Sequence, residues 1–277
     1  MRVGYFDCFS GISGDMTLGA LVDAGVDPRP IQEAVASLGL PGSVAFETVR
    51  KGGFRATHAK VEAAHEHVHR YWHHIEAIIE KSILSAHQKD LARQIFLKLG
   101  EAEARVHGIS LARVHFHEVG AADSIIDIVG SAVGLDHLGV DRFEASPVPP
   151  GKGWVKAAHG RMALPAPATA EILKGVPLAE SLIEMEMTTP TGAAILTTVV
   201  ERFGPLPSLT IDAIGLGAGT KDVPEQANVL RLILGTADVS HSSDRVWVLE
   251  SNLDDLPGEV VGYTTLKLME AGALDAF

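Results

Sequence analysis

The chain has 277 residues, of which 46% are hydrophobic, so it can bury a sizeable core, and its formal charge is −12. That charge repels phosphate backbones, and neither a basic run nor an apolar stretch of the roughly 18 residues that span a bilayer is present, which argues against nucleic acid and membrane as partners. A single cysteine, Cys8, against thirteen histidines excludes an internal disulfide and a Cys-pair zinc site, and leaves histidine to carry any strong transition-metal chemistry.

The start, Met1 to Asp7, turns acidic before a signal-peptide core could form, so the expected location is the cytoplasm. Val3 to Phe9 reads as a buried strand that breaks at Ser10-Gly11-Ile12-Ser13-Gly14-Asp15 and feeds a helix through Leu18, Leu21 and Val22. Pro28 starts a second helix, with Ile31, Val35 and Leu38 facing inward. Val44 to Arg50 and Phe54 to Glu62 predict a hairpin around Lys51-Gly52-Gly53, from which a histidine-rich surface segment leaves directly.

Helices are expected over Ile75 to Leu84 and Lys89 to Val106, followed by an extended piece Val114-His115-Phe116-His117 and a helix from Ser124 to Leu138 capped by Asp123. After Phe143 the proline and glycine content reads as loop, until Ala166-Pro167-Ala168 and Thr189-Pro190-Thr191-Gly192 open two further helices. Strands are predicted at Leu209 to Leu216, Val229 to Leu234 and Arg245 to Glu250, and a helix at Glu259 to Ala271. The pattern predicts an α/β (α+β) fold, a mixed sheet with hairpins and flanking helices. Its expected organisation is a main metal-handling domain over 1–236, a linker over 237–244, and the truncated start of a C-terminal region over 245–277.

Five histidines fall within the ten residues from His65 to His74. In a strand His65, His67 and His69 share one side; in a helix His65, His69 and His73 share a face, with His74 adjacent. Either arrangement converges imidazoles that suit Ni²⁺, Zn²⁺, Cu²⁺ or Co²⁺, and histidine content does not choose among them. A solvated linker with adventitious affinity is the plainer alternative.

A second set joins His115, His117 and Glu118 to Asp123, with Asp127 one helical turn further on. Two histidines and a carboxylate leave a coordination position for substrate. The alternative is a half-exposed strand beside a helix cap. Ser10, Gly11, Ser13 and Gly14, and likewise Thr189 and Thr191, place hydroxyls and amides at helix starts, where a phosphate is favoured, although neither loop has a P-loop lysine. Cys8 beside Asp7 reads as a soft metal contact or a small hydrophobe, and Glu250, Asn252 and Asp254 as a hard-cation set or a solvated strand end.

These residues resemble the LarC-type nickel-insertion family along nearly the whole chain. The carriers are Phe6-Asp7-Cys8-Phe9-Ser10-Gly11-Ile12-Ser13-Gly14-Asp15-Met16, the histidine tract, the run from Val114 through His117-Glu118 to Asp127, Ala158-His159-Gly160-Arg161, and Thr188-Thr189-Pro190-Thr191-Gly192-Ala193. The resemblance implies CTP-dependent insertion of nickel into a pyridinium bisthiocarboxylate mononucleotide, completing the nickel-pincer cofactor of lactate racemase, with nickel–carbon and nickel–sulfur bonds formed. CTP with Mg²⁺ or Mn²⁺ would be handled in a C-terminal domain of the full-length protein or on a partner chain. The 277 residues alone are then expected to hold or load nickel without completing the reaction.

On that reading the histidine tract gathers nickel, His115, His117, Glu118 and Asp123 orient it, and the glycine amides with Arg161 contact the nucleotide phosphate. Competing readings are a nickel storage protein or chaperone, a metal-dependent hydrolase using His115, His117 and Asp123, and a structural module. The sequence leaves homo-oligomerisation open.

Overall fold

The computed structural model describes residues 1–63, 70–116, 121–157, 160–237 and 247–276. Contacts divide the chain into two compact units, Met1–Val239 and Ser240–Phe277. The expected α/β class with a mixed sheet is what the first unit forms. It holds a seven-stranded sheet and a separate two-stranded hairpin.

The sequence opens with β1 (Arg2–Asp7), whose buried Val3, Tyr5 and Phe6 suit a central strand covered on both faces. Helix α1 (Gly14–Asp23) returns over the sheet, and α2 (Pro28–Ser37) begins on Pro28 with Asp27 as its cap. The predicted hairpin forms as β2 (Gly42–Lys51) and β3 (Phe54–Ala63). Helices α3 (Trp72–Lys81) and α4 (Ala86–His107) follow, then a 3₁₀ turn at Leu111–Arg113 and α5 (Ala122–Leu138).

Beyond α5 come β4 (Arg142–Ala145), β5 (Trp154–Ala157), β6 (Gly160–Ala163), α6 (Pro167–Ile172) and α7 (Pro190–Val199). Strands β7 (Val200–Phe203), β8 (Thr210–Ala218) and β9 (Val229–Thr236) complete the sheet. The strand order is β2-β3-β8-β9-β1-β4-β7: β1 pairs in parallel with β4, and β4 with β7, while β9 lies antiparallel between β1 and β8. The loops after β1, β4 and β8 therefore share one end of the sheet, where open α/β sheets bind ligands.

The core sits between the sheet and α1, α4 and α5, with Phe6, Leu18, Leu21, Ile31, Phe96, Ile125 and Val129 fully buried. α1 can lie directly on β8 because residue 217 is glycine: a Cβ there would fall 1.8 Å from the Met16 carbonyl oxygen. Any larger residue would lift the helix and open voids beneath it.

Three expectations are corrected. Helix α5 begins before Ser124, with Ala121 as its N-cap, so Asp123 lies within the first turn and its carboxylate accepts the adjacent Ser124 amide, at 2.8 Å. The loop expected after Phe143 holds β4 and the β5-β6 hairpin; four-residue strands are too short to show an alternation, and the flanking glycines disguise them. The strand expected at Arg245 to Glu250 does not occur in its described part: residues 247–250 have no regular structure, and Trp247 and Leu249 are exposed. Apolar alternation produces a strand only where a partner edge accepts it.

In the second unit the expected helix is present as α8 (Gly258–Glu270). Among the described residues no helix is long and apolar enough to cross a membrane.

Candidate metal and nucleotide site

The two hydroxyl-rich loops, remote in sequence, meet in space. Ile12 and Thr188 form a parallel bridge: the Ile12 amide donates to Met187 O and the Thr189 amide to Ile12 O, both at 3.0 Å. Gly11 makes this contact possible at φ +83, since a Cβ would stand 1.9 Å from Met187 O.

Ser13 caps α1 by accepting from the Met16 amide, and Thr189 caps α7 by accepting from the Gly192 amide at 3.1 Å. Two helix N-termini thus open side by side. Not every predicted donor is available within them. The Gly11 amide donates to Cys8 O at 2.7 Å, and the buried Ser10 hydroxyl accepts from Gln226 at 2.9 Å. Thr191 is buried in the first turn of α7, while Gly14 opens α1.

Carboxylates ring this opening. Asp15 accepts from the Ser13 hydroxyl and, at 3.2 Å, from Thr220 on the loop after β8. Asp127 packs against the bare backbone of Gly14, where a Cβ would lie 2.3 Å from its Oδ2. Its Oδ1 is buried with no hydrogen-bond partner among the described residues. Burial first, and then the charges of Asp15 and Asp123, hold the Asp127 carboxyl well above the usual carboxylate range. The mouth of α1 is therefore less hospitable to an anion than its helix terminus alone suggests, and better suited to a cationic group.

The residues on either side of the histidine tract are paired into the fold. The end of β3 pairs Gly42 with Ala63, and Gly42 lies against Ile126 of α5. On the far side of the tract, Arg70 forms an antiparallel bridge with Phe116, whose amide donates to Arg70 O at 3.1 Å. Both residues are buried. Next to this pair, the Tyr71 hydroxyl lies 3.0 Å from His115 Nε2, and the two ring centroids are 4.3 Å apart.

His73 stacks on Tyr71 at 5.8 Å and His74 lies 4.0 Å from His73, ring centre to ring centre. The Tyr71 amide donates to His74 Nδ1 at 3.2 Å, which secures the start of α3. His65, His67, His69, His117 and Glu118 lie outside the described residues, so neither predicted metal set is described in full. Among the described residues no group of three or more His, Cys, Asp or Glu is arranged to hold a metal ion.

Cys8 is fully buried, and burial pushes its thiol far up, so it behaves as a small hydrophobe and not as a thiolate ligand. Glu250, Asn252 and Asp254 are exposed on a segment without regular structure. Arg161 stands on the β5-β6 hairpin, its guanidinium 4.7 Å above the exposed Trp154 ring and opposite Lys156 in the register. The hairpin springs from the loop after β4, which bridges Gly151 to Glu186 beside the start of α7.

Tyr71 and Trp154 were not anticipated as site residues. The signal for Tyr71 was its position, an aromatic between two groups of histidines; nothing in the sequence marked Trp154 apart from other surface aromatics.

Two helix starts and the carboxylates of Asp15, Asp123 and Asp127 come together at one end of a mixed α/β sheet. The chain belongs to the nickel insertion protein family, whose model, described as "Nickel insertion protein", matches residues 4–277.

It is 51% identical over 281 residues to a relative from Rhodopirellula baltica (strain DSM 10527 / NCIMB 13988 / SH1), and 47% identical over 278 residues to one from Geotalea daltonii (strain DSM 22248 / JCM 15807 / FRC-32), both named as nickel insertion proteins; each match covers 99% of this chain and 71% of the relative. A relative from Geobacillus kaustophilus (strain HTA426), named "Pyridinium-3,5-bisthiocarboxylic acid mononucleotide nickel insertion protein", is 46% identical over 297 residues, covering 100% of this chain and 72% of its own. No solved structure matches.

Proposed function

We propose that this protein inserts nickel into the pyridinium bisthiocarboxylate mononucleotide, forming the nickel-pincer cofactor of lactate racemase, with CTP and Mg²⁺ or Mn²⁺ required in the full-length protein. The observation that carries the reading is the Arg70–Phe116 bridge, because it joins the residue after His69 to the residue between His115 and His117. His65, His67, His69 and His73 are assigned to gathering nickel, and His115 and His117, with Glu118, to presenting it.

The substrate's chemistry matches the division of charge around this region. It carries a cationic ring, two sulfur-bearing groups and one phosphate. The carboxylates of Asp15 and Asp123 favour the pyridinium, and Arg161 with Lys156 favours the phosphate, with the α7 start at Thr189 and Thr191 as a second anchor. A nickel–carbon bond made at the ring carbon between the two thiocarboxylates releases a proton from that carbon. Asp123, exposed on the first turn of α5, is assigned to accept it.

Calorimetric titration with nickel-free mononucleotide tests the phosphate assignment. Arg161→Ala should weaken binding by about tenfold or more, corresponding to the loss of a charge-assisted contact of about 1.5–3 kcal/mol. A variant that binds as the unmodified protein does would remove Arg161 from the site. Nickel that is bound but never delivered would favour the storage reading.

A further inference from the structure

We infer that Tyr71 is the positioning residue for metal uptake by His115, engaging Nε2 so that Nδ1 becomes the ligating nitrogen. The inference rests on the reading above that His115 is a nickel ligand.

The geometry begins with the backbone. Arg70 and Phe116 are the paired residues of an antiparallel bridge, both buried, so Tyr71 and His115 are neighbours across that pair and their side chains emerge together. Their rings sit 4.3 Å apart at 50°, and the phenol oxygen lies 3.0 Å from Nε2. Tyr71 is itself fixed from the other side: it is the N-cap residue of α3, and its amide donates to His74 Nδ1. The phenol is thus held by a helix start, and the imidazole by a bridge one residue away.

Imidazole chemistry then limits the assignment. A neutral ring has one N–H and one lone pair. A metal takes the lone pair, and a ligating histidine ordinarily donates its other N–H to an oxygen acceptor, which orients the ring and fixes its tautomer. With Nε2 against the phenol oxygen, the arrangement compatible with ligation has Nε2–H donating to Tyr71 and the lone pair on Nδ1. The ion would approach on the side of the ring nearer the main chain.

The same tyrosine separates His115 from His74. The Nδ1 lone pair of His74 is committed to the Tyr71 amide, so the neutral His74 ring carries its proton on Nε2 and serves the start of α3.

The test pairs nitrogen NMR of the metal-free chain with Ni²⁺ titration of Tyr71→Phe, His115→Ala and His74→Ala. In the unmodified protein His115 should be the Nε2–H tautomer. Tyr71→Phe keeps the ring and removes only the hydroxyl; it should lower affinity for the first Ni²⁺ by about 10–100-fold, the usual cost of losing a partner behind a ligand, and erase the tautomer preference.

His74→Ala should lower the melting temperature, because its ring serves the start of α3. An Nδ1–H tautomer for His115, or unmodified affinity in Tyr71→Phe while His115→Ala loses nickel, would overturn the inference. Unmodified affinity in His115→Ala would instead overturn the reading of His115 as a ligand. Should Tyr71→Phe fold poorly, the tautomer of the unmodified protein still decides.

Discussion

Replacing His65, His67 and His69 together by alanine should remove most of the nickel that the protein binds and leave its melting temperature within a few degrees of the original. Each imidazole supplies one lone pair, and loss of three from one ion leaves water in their place. Losing ligands outright should cost at least the roughly 100-fold in affinity that loss of a supporting group behind a ligand can cost.

The fold should tolerate the change because the flanking elements are secured elsewhere. β3 is paired along its length with β2, and α3 buries Ile75 and Ile79 in the core. Elemental analysis of dialysed protein, read beside a thermal melt, checks both parts. Unchanged nickel stoichiometry in a well-folded triple variant would show that the tract is a solvated segment.

Asp127→Asn should stabilise the fold and slow nickel delivery. In the folded chain the carboxyl is held above its ordinary range, by burial and then by Asp15 and Asp123. Unfolded, it would titrate at about 3.9. Between those points the folded state binds more protons than the unfolded state, so the stability this group contributes is fully present below about pH 4 and is lost as pH rises through the folded pKa.

Asparagine removes that dependence. The variant should melt a few degrees higher at neutral pH, on the order of 1 kcal/mol or more, with a flatter stability profile above pH 4. A carboxyl kept in so unfavourable a place at a helix start is the kind of group that active sites retain, so the stabilised variant should deliver nickel more slowly. A lower melting temperature with an unaltered pH profile would show that the carboxyl is well accommodated.

The elements legible in the sequence were those with a long period or a strong punctuation mark. Pro28, Pro167 and Pro190 each set a helix start, and Lys51-Gly52-Gly53 set the hairpin. What stayed hidden depended on contacts between distant residues. The loops at Ser10 and Thr188 could each be read as helix openings, but their bridge exists only because Gly11 and Gly192 admit the opposing backbone.

Asp123 looked like a cap because it precedes an apolar run, yet Ala121 takes that place and Asp123 joins the acidic ring. The apolar residues around Trp247 resembled a strand, and a strand needs an edge to pair with, which the sequence does not display. For the candidate site, residue types were legible and partners were not: His115 could be named from its spacing, whereas Tyr71 became visible only through the Arg70–Phe116 bridge.

Delivery of nickel is the most direct measure of what this protein does. Protein loaded with radioactive nickel and freed of excess ion would be mixed with nickel-free pincer mononucleotide, CTP and Mg²⁺, using this chain and a form extended to the length of its relatives, and nickel would be followed into the small-molecule fraction. Transfer into the nucleotide is expected in the extended form, dependent on CTP and slowed by His115→Ala and Asp127→Asn. Nickel that stayed on the protein in both forms, or left it as the free ion at a rate indifferent to the nucleotide, would contradict insertion as the function of this fold.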